Sequence, residues 1–364
     1  MGRFFRWLFA LGVLAVIAAA CAVALVLAIT GKSPGEALRQ VAAQLSILGR
    51  DDEINAPFRA GDTESQRFDI EPGDTPAQIA DWLVTYGYIG DGDLFVNYAR
   101  SQGLDTQFEA GTYFIRRSQS IAEIAHQLTD SANSFIPFRV LEGWRLEEIA
   151  EAIDANPMFG FSGAEFIAAT YAPSSVRQSL GIPDGANLEG FLYPDTYRLA
   201  PDTTAEGLVE TLTTAFMMAV GPELMDDVLN QGRTLREVVN LAAIVQREAL
   251  HADEMPLIAG VYQNRLDIEM KLDADPTVQY ALGNSRGAWW PQITVADYSA
   301  VNSAYNTYLV IGLPPSPISN PGLAALQAAV YPTASEYYYF RADCRDDGYH
   351  DFAPTYEEHI ANGC

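Results

Sequence analysis

The sequence predicts an α+β protein: an apolar N-terminal segment, a small strand-and-helix unit, then a larger region of mixed helices and strands. Three observations carry this expectation. "IEPGDTPAQIA" and "VLEGWRLEEIA" each read as strand, glycine-containing turn and helix, like two copies of one device. Two longer stretches, around residues 234 to 250 and "EMPLIAGVYQNRLDIEM", carry apolar residues at helical spacing. The chain beyond them turns rich in Pro, Tyr and Asn, with short aromatic runs such as "EYYYFRA" that read as partly buried strand.

The first element is an uncharged run of 24 residues, Trp7 to Thr30. At about 1.5 Å per residue it is long enough for a bilayer core of about 30 Å. Arg3 and Arg6 precede it, so residues 1–6 are expected in the cytoplasm, 7–30 in the membrane, and the rest outside. A cleaved signal peptide, or lipoprotein processing at Cys21, is the competing reading. The net charge of −25 argues against nucleic acid or an anionic-lipid surface as partner. Cys344 and Cys364 either form a disulfide that pins the C-terminal tail or stay free thiols.

Residues 31–66 read as a polar spacer. The small unit, 67–132, should begin with a strand near Phe68, followed by a Pro-Gly turn and an amphipathic helix. That helix is capped by Asp74 or Thr75, with Ile79, Leu83 and Val84 inward. A helix around Leu94 to Ser101 follows, then "FEAGTYFI" as strand and "SIAEIAHQLTD" as a helix capped by Ser120. The large region, 133–364, opens with the second strand-turn-helix device. It continues through a mostly helical stretch broken by the aromatic loop "NLEGFLYPDTYRL", then the two long helices and the aromatic C-terminal part. In the second long helix, Leu257, Ile258, Val261 and Leu266 are the expected core positions.

The common catalytic constellations are missing. No glycine-rich phosphate loop, zinc-spaced Cys pair, H-E-x-x-H or G-x-S-x-G occurs, so no cofactor or metal is called for. His350 and His359 read as surface or hydrogen-bonded residues. What stands out is one carboxylate. At about 100° per residue, Glu248 falls within about 60° of Leu241, Ile244 and Val245, and roughly 80 to 120° from the polar Arg236, Asn240 and Arg247. Burial would raise its pKa and suit it to general-acid work on a glycosidic oxygen. On position alone it is either a buried salt-bridge partner or a catalytic acid. "YNTY" and "GLPPSPISNPG" combine aromatic faces, amides and rigid prolines, which suits either an extended polar-ligand cleft or a loop closing a core. Asp275 with Pro276 also fits a plain helix cap.

Eight motifs then occur in order: "EGW", "LEGFLYPDTY", "AAIVQREA", "NRL", "DPTVQYALG", "YNTY", "GLPPSPISNPGL" and "GYHDFAPTYEEH". With them the chain, from about Phe68 to His359, resembles the membrane-anchored endolytic murein transglycosylases of the MltG (YceG-like) type. The resemblance implies a lysin-motif-like domain over 67–132 and a catalytic domain over 133–364 whose helix carries one essential glutamate. Two glutamates often flank a basic residue in that helix; here the first is Gln246, so only Glu248 matches. Ser316 and Glu269 stand where the family usually has glycine.

The implied reaction cuts the MurNAc-β-1,4-GlcNAc bond of nascent glycan strands without water, leaving 1,6-anhydro-MurNAc ends and terminating elongation. Glu248 would serve as acid and then as base, with Asn264, Asp275, Thr277, Tyr305, Asn306 and Asn320 as candidates for orienting it or the substrate. The implied partners are peptidoglycan strands, the bacterial plasma membrane and penicillin-binding proteins. A non-catalytic peptidoglycan-binding scaffold and a hydrolase with reducing ends are the rival readings.

Overall fold

The computed structural model describes residues 33–131, 134–171, 177, 180–183 and 185–363, and the chain divides into two units after Phe135. Among the described residues no helix is long and apolar enough to cross a membrane, and the run 7–30 lies outside them.

The N-terminal unit opens with α1 (Pro34–Ser46) and α2 (Asp51–Asn55), followed by β1 (Ser65–Ile70), α3 (Pro76–Thr85), α4 (Gly92–Gln102), β2 (Gly111–Arg116) and α5 (Ile121–Gln127). β1 and β2 pair antiparallel, Ser65 opposite Arg116 and Ile70 opposite Gly111. Their inward side chains, Phe68, Ile70, Tyr113 and Ile115, meet Ile79 and Leu83 of α3, Phe95 of α4 and Ile124 of α5 in one core. The expected spacer 31–66 is therefore only partly a spacer. A Ser33–Glu36 capping box starts α1, and Ile54 of α2 is drawn into the core. Thr75, rather than Asp74, caps α3. Val84 stays exposed, on the solvent edge of that helix.

In the second unit, β3 (Ile136–Arg139) leads through a turn to α6 (Leu146–Asp154). The two strand-turn-helix copies close alike: Asp74 N–H donates to Glu71 O at 3.1 Å, and Trp144 N–H to Leu141 O at 3.2 Å. Gly73 and Gly143 take the positive φ that each turn needs. α7 (Gly163–Ala169) precedes β4 (Thr196–Leu199), which pairs antiparallel with β3. The aromatic loop thus ends in a strand, because Tyr197 and Leu199 alternate inward while Thr196 and Arg198 face out. α8 (Ala205–Asn230) is interrupted at Gly221–Pro222, where φ turns positive.

The centre of this unit is α9 (Leu235–Glu248), packed against α10 (Met255–Asp267) and α13 (Leu323–Val330). Between α10 and α13 lie α11 (Asp275–Leu282) and α12 (Val295–Ala300). β5 (Tyr339–Ala342) and β6 (His350–Ala353) form an antiparallel hairpin closed by α14 (Tyr356–Ala361). α9 departs from the expected amphipathic pattern: every residue from Val238 to Val245 is buried, Asn240 included. Asn240 reaches the Pro314 carbonyl at 2.6 Å, so a loop covers the side that the sequence reads as solvent-facing. In α10, Leu257 and Leu266 are only half-buried, and Arg265 takes an inward place. Cys344 is disulfide-bonded, with its partner outside the described residues.

Candidate active site

Glu248 is the last residue of α9, where the helix emerges from the core into a cleft of about 510 Å³. The cleft is lined by α10 (Tyr262, Arg265), the segment into α11 (Leu272, Asp273, Asp275), Tyr298, Tyr308 and the β5–β6–α14 face (Phe340, Arg341, Ala342, His350, His359). A cavity of about 610 Å³ beside Arg233, Arg236 and Pro315 is larger. It contains no acid held near neutrality, so chemistry rather than size selects the Glu248 cleft.

The carboxyl group of Glu248 is pushed up to about 7, chiefly because surrounding protein excludes water from it. The nearby charge of Asp275 adds to the rise, while a hydrogen bond from Tyr262 and the more distant Arg265 and Arg247 oppose it. Its place at the negative end of the α9 dipole acts in the same direction as burial. The Tyr262 hydroxyl, itself buried, donates to Glu248 Oε1 at 2.6 Å. Oε2 makes no protein hydrogen bond among the described residues and remains open to the cleft. One oxygen is held and the other presented.

Asp275 faces the same cleft. It is the first residue of α11, with Ala274 as the cap, so its carboxylate does not cap the helix. It accepts instead from the Tyr308 hydroxyl at 2.6 Å. Tyr308 stacks on Tyr298, ring centres 4.0 Å apart and nearly parallel, which fixes both rings along one wall. Arg265, also in the lining, bonds the Tyr338 and Leu272 carbonyls, both at 2.6 Å, and His350 Nδ1 lies 2.9 Å from Glu254. His350 and His359 thus sit in the cleft wall rather than on an open surface.

The other anticipated residues lie away from this cleft. Asn264 donates to the carbonyls of Ser335 and Tyr337, at 2.9 and 2.8 Å, tying α10 to the chain before β5. Thr277 is buried, its hydroxyl bonding the Ala274 carbonyl and meeting that of Thr307 at 2.9 Å. Asn306, also buried, donates to the carbonyls of Tyr298 and Val301 and accepts from the Tyr308 N–H. It therefore sets the Tyr298–Tyr308 stack from behind. Tyr305 bonds Ser316, hydroxyl to hydroxyl, at 2.6 Å. Asn320 is a buried hub: Oδ1 accepts from Gly190 and Leu192 N–H, and Nδ2 donates to Trp144 O and Glu189. Of the seven anticipated residues only Glu248 and Asp275 share the cleft. Tyr262, Arg265, Tyr308 and Arg341 were not anticipated; only Tyr308 lay inside a motif read as ligand-binding.

The three departures from the family pattern each have a local reading. Gln246 accepts from Gly322 N–H at 2.9 Å and places its amide 3.5 Å from Glu142. A glutamate there would oppose that carboxylate. Ser316 supplies the hydroxyl that Tyr305 meets. Glu269 has φ of 56°, which explains why glycine suits this position.

Fold and site together define an α+β protein organised around one half-open buried acid in a polar, aromatic-walled cleft. Residues 68–363 match the YceG-like family, and the chain belongs to it. It is 28% identical over 320 residues to the "Endolytic murein transglycosylase" of Bacillus subtilis, covering 83% of this chain and 85% of that protein. The protein of that name in Streptococcus pneumoniae D39 is 26% identical over 328 residues, 84% of this chain. This chain spans only 59% of that relative's length. A 2.6 Å crystal structure of a yceG-like protein of Listeria monocytogenes superposes with a TM-score of 0.55. It is 27% identical and covers 82% of this chain and 99% of its own.

Proposed function

We propose that the chain is an endolytic murein transglycosylase, a lyase that cuts peptidoglycan glycan strands with Glu248 as acid and then base. The observation that carries this is the state of Glu248: one oxygen fixed by Tyr262, the other facing the cleft, and a proton retained to about pH 7. Protonated Glu248 gives its proton to the bridging O4 as the bond from MurNAc C1 to that oxygen breaks. The resulting carboxylate takes the proton of the same sugar's 6-hydroxyl as that oxygen closes on C1. The ring product is a 1,6-anhydro end, no water is consumed, and Glu248 returns protonated. A single carboxyl near neutrality suits both steps, because it neither holds nor releases its proton too strongly at working pH. Tyr298 and Tyr308 offer a stacked aromatic wall for sugar faces, and Asp275 helps keep Glu248 protonated before the first step.

In this reading residues 7–30 anchor the chain in the bacterial plasma membrane, with Arg3 and Arg6 on the cytoplasmic side and the cleft outside. The β1–α3–α4–β2 unit is read as a lysin-motif-like glycan holder. Tethering would keep the enzyme beside glycan emerging from the membrane and near the penicillin-binding proteins that extend it.

The test is mass spectrometry of fragments from uncrosslinked glycan strands treated with the full chain in detergent, or with its Glu248→Gln variant. Anhydro-ended fragments from the wild type alone are expected. Such ends from both proteins would remove Glu248 as the essential acid. Hydrated ends would mean a hydrolase, and binding without cleavage a scaffold.

A further inference from the structure

We propose that Arg341 is the anion anchor of the cleft and binds a carboxylate carried by the muramic acid residue whose bond is cut. The proposal rests on the transglycosylase reading above. The cleft lining carries both signs of charge, the carboxyl groups of Glu248, Asp273 and Asp275 and the guanidinium groups of Arg265 and Arg341. The two arginines differ in how far their donors are committed. Arg265 is buried, bonded to two carbonyls at 2.6 Å, and lies 3.7 Å from Asp273. It holds the wall together. Arg341 makes one long bond, Nη1 to the His359 carbonyl at 3.5 Å, and its buried Nε has no partner. Asp351 stands opposite it in the β5–β6 register, yet no ion pair joins them among the described residues. A guanidinium in a cleft with most of its donors unspent is prepared for a planar anion.

The field at this end is independently visible in His359. Its imidazole is held below the ordinary range, by burial first and then by Arg341 and Arg265, and its Nδ1 is also buried without a partner. The glycan backbone itself is neutral. Its anionic groups hang from the lactyl ether of every muramic acid, as the free lactyl carboxyl of a bare strand or as acidic groups of an attached peptide. Muramic acid is also the sugar whose C1 and 6-hydroxyl Glu248 must reach. Along a strand of two alternating sugars, one cation in the cleft would select the register that puts muramic acid beside Glu248. A chain of net charge −25 would otherwise repel such a strand.

The experiment uses the full chain in detergent and three glycan substrates. One set of strands bears stem peptides, and a second is stripped by an amidase so that the lactyl carboxyl is free. The third is stripped and then coupled to methylamine, which makes that carboxyl a neutral amide. For the wild type, kcat/KM for anhydro-end formation should be about tenfold higher on charged than on neutral strands, mainly through KM. In Arg341→Gln that ratio should fall to about one, while Arg341→Lys should keep part of it. A preference confined to stripped strands assigns the lactyl carboxyl, and one confined to peptide-bearing strands assigns the peptide. Equal wild-type rates on charged and neutral strands would overturn the proposal. So would an equal loss on all three substrates in Arg341→Gln, which would make Arg341 a brace of the hairpin. If the Gln variant does not fold, the wild-type ratio and the Lys variant decide. A wild type that gives no anhydro ends on any strand would overturn the transglycosylase reading and this proposal with it.

Discussion

Tyr262→Phe is the sharpest probe of how the site holds its acid. The change removes the hydroxyl that donates to Glu248 Oε1 at 2.6 Å and leaves the ring that packs edge-on against Phe340. That bond favours the ionised carboxylate, so it now opposes the rise to about 7. A hydrogen bond to a charged acceptor contributes about 1 kcal/mol more than one to a neutral acceptor, close to one pKa unit. On the proposed mechanism Glu248 must be protonated for the first step, so activity should fall as pH rises through its pKa. The alkaline limb of the kcat/KM profile should therefore move up by about one unit in Tyr262→Phe. The rate on the plateau should drop, because the acid is no longer aimed. Asp275→Asn removes a charge that raises the Glu248 pKa and should move the same limb down. Initial rates of anhydro-end formation across the neutral-to-alkaline range, measured on all three proteins, give the limbs directly. A limb that stays fixed in both variants, or moves the same way in both, would refute the assignment of that titration to Glu248.

Three further outcomes follow from the same packing. In Glu248→Gln, a carboxyl raised from 4.5 to about 7 is replaced by a group that does not titrate. The protonated form's contribution to stability is complete below the unfolded pKa and is lost as pH rises through about 7. The variant should therefore match the wild type near pH 4 and exceed it above pH 8 by about 2 kcal/mol, a figure reduced for the open side of the cleft. Urea unfolding at both pH values reads the difference. Glu269→Gly relieves a side chain held at φ of 56°. The left-handed conformation costs about 1–2 kcal/mol and glycine's extra entropy returns about half of that, so a gain of up to about 1 kcal/mol should appear in urea midpoints. Asn320→Ala strands the N–H groups of Gly190 and Leu192 and one oxygen of Glu189 in the interior. It should destabilise the second unit by about 3 kcal/mol, visible as a lowered thermal midpoint.

The sequence exposed what is local and periodic, and hid what depends on three-dimensional cover. The capping signals of Thr75 and Ser120 are carried by neighbouring residues, and both caps formed. The strand at Thr196–Leu199 was hidden because its partner β3 lies roughly 60 residues earlier, and four residues in an aromatic loop show little period. Asn240 looked like a surface residue because no sequence pattern reveals that Pro314 will roof it. The same cause separates the site candidates. Asn306 and Asn320 are amides in polar, aromatic, proline-rich segments, which is as suitable for bracing loops as for binding sugar. The structure uses them as braces. Tyr262 and Arg265 sit in a helix whose residues otherwise read as core and surface, and only the approach of α9 and β5 turns them into cleft walls.

A raised pKa alone would not have selected Glu248. Glu189 is more strongly perturbed, pushed up to about 8 by burial. Both of its oxygens are used, one by the Leu146 N–H at 3.1 Å and the other by Asn320 at 3.0 Å, and the residue has no opening to solvent. Its proton has no route to a ligand, and its bonds hold the α6 start to the Gly190 turn. That turn is itself compressed: a Cβ at Gly190, where φ is 90°, would lie 2.5 Å from Pro317. Glu189 therefore anchors the loop that roofs α9, while Glu248 at the end of the same helix keeps one oxygen free. The two acids thus differ in setting, one tied into the frame by both oxygens and the other presenting an oxygen to the cleft. For that reason loss of Glu189 should reduce stability and activity together, whereas loss of Glu248 should separate them.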